Sequence, residues 1–200
     1  MENYLAVAYW AGRKEEAGAC ALRASRFLFA LSEISDDMTG WRETGRSKKD
    51  ALANKVYEPH ALDDLERLFA KGISRREVNH VLWNGKDDSH GLSLNMRCGV
   101  YSTVPTLGNA VVLNLSVSFD VASTSGLRKL AMAFVEAWEP DWMAITSQTK
   151  MNEAPKNEYG NKKPFLDKAL YVKSTMERPS VPADITEEKL NQGMLFLNAS

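Results

Sequence analysis

Residues 135–146, VEAWEPDWMAIT, join a predicted helix to a predicted strand and thereby indicate the fold class. Upstream, apolar residues recur at steps of three and four, the spacing of one helix face. They are Leu127, Leu130, Ala131, Phe134, Val135 and Trp138. Pro140 disfavours helical geometry at Glu139, so the helix is expected to end there and a strand to follow over 142–146. Two tryptophans beside acidic residues could also form a sugar-binding platform or a catalytic corner, but the periodicity predicts that Trp138 is a core residue.

Three further segments predict the sheet. Residues 4–10, YLAVAYW, are apolar at both parities, as in a central strand that is buried on both faces. Residues 92–101 and 111–119 alternate between apolar and polar side chains, which is typical of strands with one buried face. The loop between them carries Pro105 and Gly108, so the pair is predicted to form an antiparallel hairpin.

The remaining segments add helices and edge strands. A long helix is predicted over 13–34, and a short one over 62–70 that Gly72 stops. The later segments are predicted as a long basic loop (148–168), a strand (169–174), a capped short helix (185–193) and a last strand (194–197). Together these elements predict one α+β domain over residues 1–200, with a mostly antiparallel or mixed sheet and helices packed mainly on one face.

Composition and charge exclude several classes of protein. Of the 200 residues 44% are hydrophobic and 26% charged, which suits a globular domain with a substantial core. The net charge of −1 gives no electrostatic reason to expect binding to nucleic acid or to a membrane. No segment approaches membrane-spanning length, and Glu2 before the first apolar run argues against a signal peptide. Cys20 and Cys98 lie on apolar faces and are predicted to be inert buried thiols in a reducing cytoplasm.

Two motifs suggest chemistry, and neither is complete. Residues 40–47, GWRETGRS, have the spacing of a phosphate-binding loop, but Arg46 replaces the required lysine. Four potential metal ligands lie close together in the sequence: His80, Asp87, Asp88 and His90. They leave a small metal-dependent hydrolase as the alternative function, although their spacing matches no zinc pattern and the segment is typical of a turn. We therefore predict no enzyme, no bound metal and no other cofactor.

Seven segments follow one another in a recognisable order: AYWAGRKEEA (8–17), the helix with Arg23, Phe27 and Leu28, a segment with Trp41, Gly45, Arg46, Ser47, Ala51 and Leu52, LWNG (82–85), CGVYS (98–102), NAVVLNL (109–115) and VEAWEPDW (135–142). This ordered set resembles the immunity protein 52 family of bacterial polymorphic toxin systems, and the resemblance extends over most of the chain. In two places the chain departs from the family pattern. Ala11 and Gly12 replace a Gly-Pro pair, and Ala169 and Leu170 stand where a Gly-Trp pair is expected.

This resemblance implies a cytoplasmic protein that binds and silences a cognate toxin. It further implies that the toxin is a restriction-endonuclease-like nuclease, delivered by type VI secretion or a similar export route. The partner is then a protein, with no nucleic acid and no membrane.

The candidate surface for the toxin is the polar face of the two alternating strands, together with two acidic turns. The candidate residues are Asn95, Arg97, Tyr101, Asn114, Asp36, Asp37, Asp87 and Asp88, with Ser93 and Ser116 beside them. Interfaces favour arginine and aromatic anchors, so Arg97 and Tyr101 are the first positions to test. Because the acidic residues are scattered rather than dense, the chain is not predicted to mimic DNA.

Overall fold

A nine-stranded antiparallel sheet runs through the part of the chain that the computed structural model describes, residues 2–75, 79–87, 89–101 and 108–198. Its strands are β1 (Tyr4–Trp10), β2 (Arg42–Glu43), β3 (Asn79–Trp83), β4 (Ser93–Arg97), β5 (Asn109–Asn114), β6 (Trp142–Ser147), β7 (Ala169–Lys173), β8 (Thr186–Leu190) and β9 (Gly193–Leu197). Their order across the sheet is β2-β3-β4-β5-β1-β6-β7-β9-β8. The predicted α+β class is confirmed, and so is the antiparallel pairing of β4 with β5.

The central strand β1 is buried on both faces, as its sequence predicts. Ala6 and Ala8 belong to one hydrophobic core, whereas Leu5 and Val7 belong to a second core on the opposite face. All four side chains are buried because neighbouring strands and covering layers exclude water from both sides. A strand in this position needs apolar residues at both parities.

Helices cover one whole face of the sheet. The helices of the described residues are α1 (Ala17–Ser32), α2 (Lys48–Ala53), α3 (Leu62–Arg75), α4 (Thr124–Trp138) and α5 (Gln148–Glu153). The apolar stripes of α1, α3 and α4 pack together against the sheet and form the main core. Among the described residues, no helix combines the length and apolarity needed to cross a membrane.

A second, smaller core covers only part of the opposite face. It contains side chains of β1, β6, β7 and β9, namely Leu5, Val7, Trp142, Ala144, Leu170, Val172 and Phe196. Met151 of α5 closes this core, with Phe165 and Leu166 packed against it. The sheet is thus covered on both faces in one half only.

The junction after α4 places its two tryptophans on opposite faces of the sheet. Trp138 is fully buried in the main core, where its ring stacks on Trp10 with 5.7 Å between centroids. Trp142 begins β6 and lies in the second core, 4.8 Å from the ring of Tyr9. Glu139 between them has a φ of 48°, which ends the helix in the left-handed conformation. The core position predicted for Trp138 is confirmed.

Two arginines satisfy the last carbonyl groups of α4. Arg23 Nη1 donates to the Ala137 carbonyl at 2.9 Å, and Arg13 Nη2 donates to the Trp138 carbonyl at 3.1 Å. Arg23 also forms an ion pair with Glu139 at 2.8 Å. Cations at a helix C-terminus interact favourably with its unpaired carbonyl groups. These contacts join α1 and the segment before it to the end of α4.

One predicted helix end is wrong, and one helix was missed. Helix α3 continues past Gly72 to Arg75, because a glycine costs a helix interior only about 1 kcal/mol and leaves its hydrogen bonds intact. Residues 148–153, predicted as part of a loop, form α5 instead. Ser147 caps this helix, because its Oγ accepts a hydrogen bond from the Lys150 amide at 3.2 Å.

The helix predicted over 185–193 is also wrong, because this segment contains β8, which pairs with β9. Asn191 has a φ of 47° in the tight turn between the two strands, a conformation that asparagine tolerates. Arg128 Nε of α4 forms an ion pair with Glu188 Oε1 of β8 at 2.7 Å, which attaches the edge strand to the helical layer. Sheet pairing and this ion pair override the local helical pattern.

The strand predicted over 111–119 ends at Asn114. Beyond it the Phe119 amide donates to the Ser116 carbonyl at 3.1 Å and closes a turn. The turn breaks the alternation, so Val117 is exposed rather than inward, and Ser116 is buried rather than on the polar face.

Cys20 of α1 and Cys98 after β4 form a disulfide, which corrects the prediction of two free thiols. Both residues are buried, as their apolar faces predict. Because those faces pack against each other, the two Cα atoms lie 6.0 Å apart, within the range of disulfide geometry. The bond joins residues 78 positions apart and fixes the start of α1 to the end of β4.

Replacing Trp138 with alanine is expected to lower the free energy of unfolding by about 3–5 kcal/mol, because the change leaves a cavity in the main core. Urea unfolding followed by circular dichroism measures the difference. Tyr159→Ala, at an exposed position, serves as the control and should change stability by less than about 0.5 kcal/mol. Equal unfolding curves for the two variants would show that Trp138 is not a core residue.

The disulfide is expected to protect both cysteines from alkylation in the unfolded, unreduced protein. Intact-mass measurement should then show no added label, whereas after reduction both cysteines should be labelled. Reduction should also lower the free energy of unfolding by about 2–5 kcal/mol, since the bond restricts the unfolded chain. Two labelled cysteines without reduction would contradict the bond.

Candidate binding surface

One face of β3, β4 and β5, here called the open face, carries no covering layer among the described residues. Its side chains are Val81, Trp83, Ser93, Asn95, Arg97, Val112 and Asn114. Across the sheet Val81 pairs with Asn95, and Asn95 pairs with Val112. Val112 in turn pairs with Val7 of the second core. Along this single row Val7 is fully buried, Val112 packs against the second core and Val81 is 42% exposed, so the covering layer thins out at β5.

The predicted surface residues on β4 and β5 do share this open face. Asn95 and Arg97 lie on it two positions apart along β4. Asn114 donates from Nδ2 to Ser93 Oγ at 2.8 Å, so these two polar groups are already paired with each other. Tyr101 lies beyond the end of β4 and is 67% exposed. The structure therefore brings most of the predicted strand residues to one side of the molecule.

A cleft of about 790 Å³, here called the border cleft, lies where the open face meets the second core. One row of the sheet passes along it: Arg97 pairs with Ala110, Ala110 with Tyr9, and Tyr9 with Trp142. Residues of two segments, 157–164 and 176–180, form its outer wall. The cleft is thus placed between an arginine of the open face and a tryptophan of the second core.

Two polar side chains hold the strand ends that form the base of the border cleft. Asn109 Oδ1 accepts from the Val100 amide at 2.8 Å, while its Nδ2 donates to the Ala11 carbonyl at 3.1 Å. Asp141 Oδ2 accepts from the Ala11 amide at 2.9 Å. The ends of β1 and β4 and the starts of β5 and β6 are therefore fixed to one another.

The lining of the border cleft contains four cations and two anions. They are Arg97, Lys162, Lys163, Arg178, Asp141 and Glu177. Lys162 Nζ donates to the Asn152 carbonyl at 3.2 Å, and Arg178 forms an ion pair with Glu187. Within the described residues, neither the Arg97 guanidinium nor the Lys163 ammonium forms an ion pair. Arg97 Nε is moreover shielded from solvent and has no hydrogen-bond acceptor there.

The first acidic turn is a structural junction. Asp37 accepts from Lys86 Nζ at 2.9 Å and from Ser118 Oγ at 3.2 Å, and it lies 2.6 Å from His90 Nδ1. The hydrogen bonds of His90 and Lys86 lower the pKa of Asp37 to about 2. Asp36 contributes its carbonyl oxygen to Lys86 Nζ. Asp37 therefore holds three segments of the chain together and has little capacity left for a partner.

The four potential metal ligands are not brought together. His80 is buried on the main-core side of β3, where its ring contacts Phe69 edge-on at 4.9 Å and burial lowers its pKa. His90 instead pairs with Asp37, and Asp87 accepts from Ser89 Oγ at 3.0 Å. Asp88 lies outside the described residues. The arrangement that the alternative hydrolase requires is therefore contradicted for the two histidines.

Among the described residues, Glu15, Cys20 and Cys98 are grouped closely enough to hold a metal ion. Both sulfur atoms are used in the disulfide, and Glu15 forms ion pairs with Arg13 at 3.0 Å and Arg23 at 2.6 Å. The ligand atoms of this group are thus already bonded or neutralised. Its arrangement is that of a cross-link supported by two salt bridges.

The border cleft was not predicted from the sequence. The basic character of residues 148–168 was visible, but its position over Tyr9 and Trp142 depends on the folded chain. The sequence contained a partial signal: Asp141 and Trp142 follow a proline that ends a helix, so they begin a new element. Residues 176–180 gave no such signal.

Comparison with known proteins adds one match. The sequence model of a family described as Immunity protein 52 matches residues 2–197 of the 200-residue chain. No curated protein matches the chain. Three segments of the family resemblance noted in the sequence, 8–17, 109–115 and 135–142, contribute residues to the border cleft.

Asp37→Asn is expected to destabilise the protein at neutral pH and to change its acid unfolding. The pKa of Asp37 is depressed to about 2 in the folded state, against about 3.9 in an unfolded chain. Its stabilising contribution is therefore complete above about pH 4 and lost as the pH falls toward 2. Urea unfolding of both proteins from pH 7 to pH 2 measures this. A stability difference that does not shrink below pH 4 would contradict the assignment.

Proposed function

Because the chain belongs to the immunity protein 52 family, we propose that it protects the producing cell by binding and neutralising one cognate toxin. We propose further that this toxin is a nuclease effector of the restriction-endonuclease type, exported by a type VI or similar secretion system. The protein then acts as a stoichiometric binder and not as an enzyme. A nuclease attacks DNA, so the encounter is proposed to take place in the cytoplasm.

The open face is the observation that supports a binding role most directly. It places Val81 and Trp83 beside polar side chains on a rigid sheet, without a covering layer in the described part of the chain. Protein interfaces combine an apolar centre with polar groups at the rim, and aromatic and arginine residues supply most of the binding energy. The open face has this composition, with Arg97 and the exposed Tyr101 at one end.

The distribution of charge supports a steric mode of inhibition over DNA mimicry. A mimic must present many unpaired carboxylates to the basic cleft of a nuclease. Here Asp37 is paired with Lys86 and close to His90, and Glu187 and Glu188 are paired with arginines. Of the charges in the border cleft beside the open face, four are positive and two negative, which is not the dense acidic surface of a mimic.

Val81→Glu is expected to abolish or strongly weaken binding to the product of the gene adjacent to this one, because it places a charge on the exposed apolar part of the open face. Leu22→Glu is the matched control, since Leu22 is also 42% exposed but lies on α1 in the helical layer. The dissociation constant should rise about 30-fold or more for the first variant and stay within about two-fold for the second. Titration calorimetry with a catalytically inactivated toxin measures both.

Gel filtration of the wild-type pair is the prior test of the function itself. If the wild-type protein and the adjacent gene product elute separately, the proposed function is wrong. If they form a complex that Val81→Glu leaves intact, the function stands and the open face is not the interface.

The redox state of Cys20 and Cys98 in cells also bears on the compartment, because disulfides persist in the periplasm and are rare in the cytoplasm.

A further inference from the structure

We propose that the border cleft is the subsite that receives a carboxylate side chain from an acidic segment of the toxin, with Arg97 as the residue that binds it. This inference rests on the proposed function and deepens it, because it states the chemistry of the segment that the toxin presents. It concerns a different part of the surface from the apolar side chains Val81 and Trp83 on β3.

The Arg97 guanidinium has no ion-pair partner among the described residues. A guanidinium has five N–H donors in a fixed geometry that matches the two oxygens of a carboxylate. Arg97 Nε is shielded from solvent and makes no hydrogen bond with the described residues. Because the Nε atom itself is closed to solvent, an acceptor from a partner can pair only with the part of the guanidinium that lines the cleft. Since the charge of this guanidinium has no ion-pair partner in the part of the chain that the structure describes, the group that complements it in the cleft is an anion.

The surroundings of Arg97 would strengthen such a pair. Tyr9 lies between Arg97 and Trp142 along the row of the sheet, and burial raises the pKa of its hydroxyl while the nearby charge of Arg97 lowers it. Tyr9 is thus partly shielded from water, and the positive charge of Arg97 acts on its hydroxyl group. Charge pairs are stronger and less screened by salt where water is excluded. Lys163 supplies a second cation on the opposite wall.

The other charges in the cleft select a carboxylate from a protein over a nucleic acid. Lys162 and Arg178 are engaged with the chain itself, which leaves two cations for a partner. Asp141 and Glu177 also line the cleft, and their negative charges oppose a chain of consecutive phosphates. One or two carboxylates carry less negative charge into the cleft than a run of phosphates does, so these two acids oppose them less. An acidic peptide segment fits this balance.

Arg97→Gln tests the proposal, with Lys163→Gln as a second variant and Arg26→Gln as the matched control. Arg26 is an exposed arginine on α1, on the opposite side of the sheet. With inactivated toxin, the dissociation constant is expected to rise about 30-fold for Arg97→Gln and to stay within about two-fold for Arg26→Gln. Thermal melting of each variant shows that the fold is retained. Lys163→Gln should weaken binding in the same direction.

A second measurement tests the cleft without the toxin. The Nε–H signal of Arg97 in nitrogen–proton correlation spectra should shift when a short peptide of alternating alanine and glutamate is added. The same peptide with glutamine in place of glutamate should leave it unchanged. This arm separates the two proposals, because it can succeed when the adjacent gene product does not bind at all.

The outcomes are distinct. Toxin binding that Arg97→Gln and Lys163→Gln leave within about two-fold of wild type overturns the inference while the proposed function stands. No shift of the Arg97 signal with the glutamate peptide also overturns it. Tight binding of a single-stranded oligonucleotide that Arg97→Gln abolishes would show that the cleft takes phosphates, and this result would overturn the acidic-peptide assignment.

Discussion

The burial of β1 on both faces is the constraint on which the rest of the structure depends. Leu5 and Val7 require a covering layer on one side of the sheet, and Ala6 and Ala8 require one on the other. The small alanine side chains also let the helical layer approach the sheet closely at its centre. Because β1 pairs with β5 and β6, both cores are joined through one seven-residue strand. A substitution that weakens β1 therefore acts on both cores at once.

The segments with strong periodicity were predictable from the sequence, and those whose structure depends on distant partners were not. Local spacing was sufficient for the helix that ends at Trp138 and for β1. Each of these patterns allows only one kind of element to bury all its apolar side chains. Residues 186–190 carry a helix-like sequence, yet they form β8 because β9 and Arg128 are within reach. Such partners are separated from the segment in the sequence, so local spacing contains no information about them.

The candidate site likewise combines features that local spacing predicts with features that depend on distant parts of the chain. Alternation along β4 placed Asn95 and Arg97 on one face correctly, since period two is a local property. Nothing in the local sequence indicated that Asp37 is paired, because Lys86 and His90 lie 49 and 53 residues further along the chain. The border cleft combines β1, β4, β6 and two later segments, so it exists only once the sheet is assembled. The pairing of Cys20 with Cys98 likewise depends on the packing of α1 against the sheet.

The half-covered sheet has a consequence for how this protein can evolve. Substitutions at exposed positions usually change stability by less than about 0.5 kcal/mol, whereas large-to-small changes in a core cost several kcal/mol. The half of the sheet between β1 and β9 is enclosed by two cores, and its sequence is correspondingly restricted. The half between β2 and β5 carries one core and one face that is free to vary. Substitutions on the variable face can therefore change which partner the protein recognises, as the partner itself diverges. The stability that the other half of the sheet provides is retained.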